Sequence, residues 1–292
     1  MGMVGFRGKT IMEFSENRGS FTSQDGLKIF YRNYQANNTR AGVVIAHGLG
    51  EHSGRYSNII GTLLLRGISI WALDHRGHGQ SDGPRGHVLA FEEYLNDLST
   101  IVQLAERELP AGMKCFLLGH SMGGLIALNF ALRFPEMIDG VIVSSPTLGI
   151  AVKVPAFKGF FGKVMSSIWP SLLLRNEIDV SKISHDEEVV RAYVEDPLVH
   201  DRVSTRWFTE FLSAMEEANQ SASKLAVPTL IQAAGEDYLA NTNDSKLFFE
   251  KMTLNDRTLH VYDGLYHEIY NEREGQRAKV LHDLEVWIEE HI

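Results

Sequence analysis

The chain has 292 residues and a single cysteine, Cys115, which excludes two kinds of protein at once. One cysteine cannot close an internal disulfide, and it cannot build a cysteine-ligated metal site. It lies inside the apolar run KCFLLG, where a free thiol reads as a small buried core side chain. Positive charge is also scarce. Lys and Arg total 28 against 37 Asp and Glu, a net charge of −9, so nucleic acid is not an expected partner. Long hydrophobic runs are missing too, since no stretch approaches the roughly 20 apolar residues of a membrane span. The opening MGMVGFRGKTIMEF has no continuous apolar segment of a secretory signal, and Phe6 stands where myristoylation needs Ser or Thr. These absences lead to the expectation of a soluble, cytoplasmic protein.

What is present is a chain 44% apolar and 22% charged, enough for a sizeable core in one large domain or two small ones. LKIFYRNY alternates like a strand after the turn residues Gln24-Asp25-Gly26. GVVIAHG, SIWALD, KCFLLG and GVIVSSP are short apolar runs, as strands buried on both faces would be. Between them lie helical patterns at 56–66, at Phe91, Tyr94, Leu95, Leu98, Ile101, Val102 and Ala105, and in GGLIALNFALRF, which Pro135 stops. Alternation of this kind argues for an α/β protein with a mostly parallel sheet covered by helices. The pattern breaks at about Thr147 and resumes near residue 223 with PTLIQAAG, DSKLFFEKM, TLHVYDG and a last helix bearing Val280, Leu284, Trp287 and Ile288. The chain is therefore expected to form one core from 1–146 and 223–292, with an all-helical insertion at 147–222 after about the sixth strand.

Two stretches match Gly-x-Ser-x-Gly, GQSDG at 79–83 and GHSMG at 119–123. A nucleophile elbow needs a strand running into the first glycine and a helix starting directly after the serine, whose first N–H groups face the developing oxyanion. KCFLLGHSMGGLIALNF meets each requirement around Ser121. Ser81 does not: its strand should end near Asp74, and no helical period begins until about Phe91, so Ser81 reads as a loop residue.

Serine needs a neighbouring base, oriented by a carboxylate, and in this architecture the chain order is Ser, Asp or Glu, His. Among 12 histidines only His267 sits on a loop just past a late strand. The loop EDYLANTND offers Glu236, Asp237 and Asp244, of which Asp237 is favoured. The earlier loop His47-Gly48-Leu49-Gly50 can turn backbone N–H groups toward a ligand. The expected oxyanion donors are the N–H groups of Leu49 and Met122, with His47 bracing the loop. Glu51, His52, Arg55 and Tyr56 read as helix-start and packing residues.

With these residues in place, HGLGEHSGRY, DHRGHGQSDGPRGH, GHSMGG, GEDYLANTNDSK and DGLYHE resemble the monoacylglycerol lipase and lysophospholipase group of α/β-hydrolases. The resemblance spans nearly the whole chain and is weakest in the insertion. It implies the α/β-hydrolase fold, Ser121 as nucleophile, Asp237 as acid, His267 as base, Leu49 and Met122 as oxyanion donors, and a helical cap at 147–222. It also implies a structural role for 74–87, the stretch holding GQSDG. Leu49 departs from the pattern, where a smaller residue often stands.

The segment 151–175 carries Lys153, Lys158, Lys163 and Arg175 with no acidic residue, together with Phe157, Phe160, Phe161, Met165, Ile168 and Trp169. One reading is a basic, apolar lid whose Phe157, Phe160, Phe161 and Trp169 line an acyl tunnel and meet membrane or lipid aggregates. The plainer reading is a pair of cap helices packed on the sheet. The expected activity is hydrolysis of a small amphiphilic fatty acyl ester, of monoacylglycerol or lysophospholipid type, through an acyl-enzyme and without metal or cofactor. The alternatives are a short-chain esterase, thioesterase or aminopeptidase, and, from another class, a non-catalytic ligand receptor.

Overall fold

The computed structural model describes residues 16–151, 162 and 164–292. Its strands in chain order are β1 (Glu16–Thr22), β2 (Lys28–Tyr34), β3 (Ala41–Ala46), β4 (Ile68–Leu73), β5 (Lys114–His120), β6 (Gly140–Ser144), β7 (Leu173–Arg175), β8 (Arg202–Ser204), β9 (Thr229–Ala234) and β10 (Arg257–Tyr262). The longer helices are α1 (Ser57–Leu65), α2 (Glu92–Glu108), α3 (Met122–Arg133), α4 (Glu187–Glu195), α5 (Thr205–Ser221), α6 (Thr242–Lys251) and α7 (Glu274–His291).

The apolar runs become the centre of an eight-stranded sheet in the order β1-β2-β4-β3-β5-β6-β9-β10. From β4 to β10 neighbouring strands are parallel, while β2 is antiparallel to both β4 and β1. Successive side chains point to opposite faces. Val44, Leu117, Val141 and Ile231 therefore join the core under α2 and α3. Val43, Phe116, Ile142 and Leu230 join the one under α1 and α7, where Val280, Leu284, Trp287 and Ile288 supply the helix's apolar face. Cys115 is buried in the first of these cores, and burial pushes its thiol up to about 12.

Strand order reverses about β3, with β4 on one side and β5 on the other. Open α/β sheets bind ligands at such a switch point, beyond the carboxyl ends of the strands. The loop after β3 and the turn after β5 meet there.

One element is absent from the sequence reading and one expectation needs correction. Residues 16–22 form β1, a seven-residue strand paired with β2 along its whole length. Its sequence ENRGSFT has no apolar alternation because it is an edge strand, held by backbone pairing more than by burial. The insertion, in turn, is not all helical. Between β6 and β9 lie helical residues 164–168, α4 and α5, but also the antiparallel pair β7–β8. Three residues per strand are too few to give a period.

Several contacts seat the insertion on the sheet. His200 N donates to Gly50 O at 2.9 Å, and Ser204 N donates to Gly86 O at 2.8 Å. Gly50 has φ +77°, and a Cβ there would lie 2.4 Å from His200 O, so this position admits only glycine.

Candidate active site

β5 ends at His120 and α3 begins at Met122, leaving Ser121 alone in the turn with φ 55° and ψ −117°. A non-glycine residue persists at such a φ only where its surroundings impose it. Here a Cβ on Gly123 would lie 2.1 Å from Ala46 O, so the first turn of α3 presses directly against the end of β3. Ser121 N donates to Ser144 O at 2.9 Å, pinning the elbow to β6 as well. The Ser121 hydroxyl is 3.3 Å from Thr147 Oγ1, a partner the sequence reading missed.

As the first residue of α3, Met122 has an N–H with no intrahelical acceptor. The Leu49 N–H donates to no protein acceptor among the described residues. Its neighbour Gly48 N is taken up by Glu51 Oε1 at 2.7 Å. His47 braces the loop through Nδ1 to Gly48 O at 2.7 Å, and its Nε2 accepts His75 N at 2.9 Å.

The loops after β9 and β10 bring Asp237 and His267 together, with Nδ1 2.8 Å from Oδ2. The other oxygen of Asp237 accepts Leu239 N and Ala240 N, each at 2.9 Å. Glu236 is exposed and Asp244 lies in the first turn of α6, so neither shares this position. Burial works against a charged His267, but the Asp237 charge and hydrogen bond, with Glu268 and Glu51, outweigh it and raise its pKa. Burial likewise opposes the Asp237 carboxylate, and the facing His267 with the two backbone donors overcomes it and lowers the pKa. The ring of His120 lies 4.8 Å from that of His267. Burial, aided by His267, pulls His120 down to about 4, so it stands beside the pair as a neutral imidazole.

Ser121, His267, Leu49 and Met122 open onto one cavity of about 590 Å³. Ile150, Leu174, Trp207, Phe208 and Phe211 form much of its apolar wall. Glu51, His120 and Glu268 line a polar part. There Arg55 reaches Glu51 at 2.7 Å and Glu268 at 2.7 and 2.8 Å, while Tyr56 donates to Glu51 at 2.7 Å. Glu51 and Arg55, read from sequence as helix-start and packing residues, are thus an ion network at the edge of the site. Polar residues reveal such a network only after distant loops meet.

Of the aromatics expected to line the cavity, Phe157, Phe160 and Phe161 lie outside the described residues. Trp169 is 56% exposed and does not line the cavity. It precedes Pro170 at the end of a helical stretch, and that turn points it outward. Among the described residues the Trp and Phe lining comes from α5, whose Trp207, Phe208 and Phe211 share a helical face. Ser81 is a buried loop residue: its Oγ donates to Asp74 O at 2.6 Å and accepts Phe30 N at 2.8 Å.

A strained serine at a strand–helix elbow, sharing one cavity with a histidine–aspartate pair at the switch point of a parallel sheet, defines an α/β-hydrolase of the serine hydrolase class. Residues 37–274 match the family described as serine aminopeptidase, S33, and the chain belongs to that family. A monoacylglycerol lipase of Mycolicibacterium smegmatis is 34% identical over 275 residues, covering 94% of this chain and 97% of that protein. The crystal structure of Paleococcus ferrophilus monoacylglycerol lipase superposes with a TM-score of 0.80 at 33% identity, covering 96% of this chain and all of that one. An abhydrolase domain-containing protein of Dictyostelium discoideum is 36% identical over 254 residues, and the chain spans only 26% of its length. Among the described residues no cluster is arranged to hold a metal ion, and no helix is long and apolar enough to cross a membrane.

Proposed function

We propose that the protein hydrolyses fatty acyl esters of the monoacylglycerol or lysophospholipid type, with 147–222 as a cap over the core formed by 1–146 and 223–292. The carrying observation is the positive-φ Ser121 in a mostly apolar cavity that also holds the Asp237-paired His267. In this reading the Ser121 hydroxyl turns from Thr147 toward His267 Nε2, which takes its proton as Oγ attacks the ester carbonyl. The N–H groups of Leu49 and Met122 receive the oxyanion. His267 then protonates the leaving alcohol and activates the water that releases the acid. Asp237 stays ionised and keeps the proton of the neutral imidazole on Nδ1. No step calls for a metal or cofactor.

The names of the similar lipases favour a glycerol ester, and the aromatic wall suits an acyl chain. Ile168, Trp169, Leu173 and Leu174 are exposed on the insertion, where Leu174 also lines the cavity, and suit contact with lipid aggregates at the membrane surface.

The test is a series of p-nitrophenyl esters of rising chain length beside monoacylglycerol and lysophosphatidylcholine. Each buried methylene contributes about 0.8 kcal/mol, about fourfold, so kcat/KM should climb from acetate until the cavity is filled. A sharp preference for acetate would remove the lipid reading, and the two lipids decide the head group.

The pH profile supplies a second check. His267 acts as base only when neutral, and its pKa is raised above the ordinary 6.5. The rate therefore grows as pH rises through that value, and the acidic limb of kcat/KM should have its midpoint above 6.5. A midpoint at or below it would count against His267 as the base.

A further inference from the structure

Glu272 lies between β10 and α7, five residues past His267, and its side chain is wholly shielded from solvent. Its carboxylate receives three donors from two separate parts of the chain. Oε1 accepts Tyr266 N at 2.7 Å and His185 Nδ1 at 2.8 Å. Oε2 accepts His185 N at 2.9 Å, while the Ser184 hydroxyl donates to the neighbouring Asn271 O at 2.9 Å. Tyr266 is the residue before His267, whereas Ser184 and His185 belong to the insertion.

The residue after His267 is tied to the same segment, because Glu268 N donates to Ile183 O at 2.8 Å. Residues 183–185 therefore hold both chain neighbours of the histidine, one directly and the other through Glu272. Side chains reinforce the grip. The His185 ring stacks on Tyr266 with centroids 3.6 Å apart. Lys182 Nζ lies 4.6 Å from the Tyr238 ring and 5.2 Å from that of Tyr266, beside Asp237 and His267 respectively. Arg277 Nη1 donates to the Glu272 backbone oxygen and does not neutralise its carboxylate. A buried carboxylate costs much to desolvate unless it is fully hydrogen-bonded, and two of these three donors come from the insertion.

We propose that Glu272 is a positioning residue that couples the seating of the insertion to the setting of His267. When the insertion is seated, His185 fixes the carboxylate and Ser184 the Asn271 carbonyl beside it, and the carboxylate fixes the backbone leading into the base. When it lifts, Glu272 loses two of its three donors, and the Tyr266–His267 backbone loses its anchor. The base is thus set for Ser121 only under a closed cap. This inference rests on the reading of Ser121, His267 and Asp237 as the reacting set.

The test uses the full chain, p-nitrophenyl butyrate and three variants: Glu272→Gln, His185→Phe and the pair combined. Glutamine has one acceptor oxygen and an NH2 that faces donors, so it can serve only one side of the junction. Phenylalanine keeps the stack on Tyr266 and removes the Nδ1 donor. It also keeps the question open should Glu272→Gln not fold.

A reacting group displaced by about 1 Å can lose about 10²-fold in rate, so Glu272→Gln should lower kcat between about 10- and 100-fold, with KM altered less than about threefold. His185→Phe should act in the same direction more weakly, and the combined variant should be no slower than Glu272→Gln alone. The acidic limb of kcat/KM should move to lower pH in Glu272→Gln, because His267 loses part of its hold on Asp237. The other groups facing His267, namely Glu268, Glu51 and neutral His120, are unchanged.

A variant whose loss appears only in its melting temperature, or whose acidic limb stays in place, would overturn the coupling. So would multiplicative effects in the combined variant. Turnover that survives Ser121→Ala in a chain with Glu272 and His185 intact would instead overturn the triad reading itself.

Discussion

Ser121→Ala should reduce ester turnover on the order of 10⁶-fold in kcat, while Ser81→Ala leaves kcat within about twofold. Both serines sit in Gly-x-Ser-x-Gly, so the contrast isolates setting from sequence. Ser121 is held at φ 55° at the head of α3, in the wall of the cavity, with its hydroxyl 3.3 Å from Thr147 Oγ1. Removing that hydroxyl removes the attacking atom and leaves the rest of the site in place. Ser81 has neither feature. Its Oγ joins the loop after β4 to β2 through Asp74 O and Phe30 N. Alanine there strands a buried N–H and a carbonyl, at about 1–3 kcal/mol, so the expected effect is a lower melting temperature. Turnover of p-nitrophenyl butyrate, read with thermal melting and fluorophosphonate labelling, separates the two. Substantial activity in Ser121→Ala, or its loss in folded Ser81→Ala, would reverse the assignment.

The same contrast shows what a linear sequence can carry. β3, β4, β5, β6 and β9 are almost wholly buried, so each appears as an apolar run. Each also ends at a loop of glycine and polar residues. The elbow and the aspartate loop were legible because each follows directly from a strand of that kind, whereas the histidine loop follows β10, a half-buried edge strand whose run TLHVYDG ends at a turn glycine. Their meeting in one cavity then follows from the parallel order of the strands, whose carboxyl ends share one edge of the sheet.

What was not legible depends on partners far away in sequence. β1 owes its form to β2, and its own side chains show no period. Arg55 finds Glu268 across more than two hundred residues, and Glu272 joins His185 to Tyr266 in the same way. A polar residue in a loop reads identically whether it is solvated or buried in such a network. The aromatic walls illustrate a different ambiguity. Trp207 and Phe211 have the helical spacing of any core face, and nothing local says that a cavity lies against that face. Trp169 looked like a lining residue by composition, but the chain turns at Pro170 and leaves its ring half-exposed.

Asp237→Asn should lower kcat about 10⁴-fold with little change in melting temperature. The asymmetry of the Asp237 hydrogen bonds explains why. Oδ1 accepts Leu239 N and Ala240 N, so the asparagine oxygen takes that side and its NH2 must face His267. A donor opposite Nδ1 forces the imidazole proton onto Nε2, the nitrogen that has to accept the Ser121 proton. The base is then in the wrong tautomer although every heavy atom remains near its place. Loss of the carboxylate also removes the strongest influence raising the His267 pKa, so the acidic limb of the residual activity should fall toward lower pH. Glu236→Gln is the control, since that exposed side chain should tolerate the change within about twofold. The measurement is kcat across pH for both variants, with the rate of fluorophosphonate labelling as an independent report on Ser121. If Asp237→Asn kept more than about a tenth of wild-type kcat, tautomer control by this residue would be untenable, because a wrong tautomer costs several orders of magnitude.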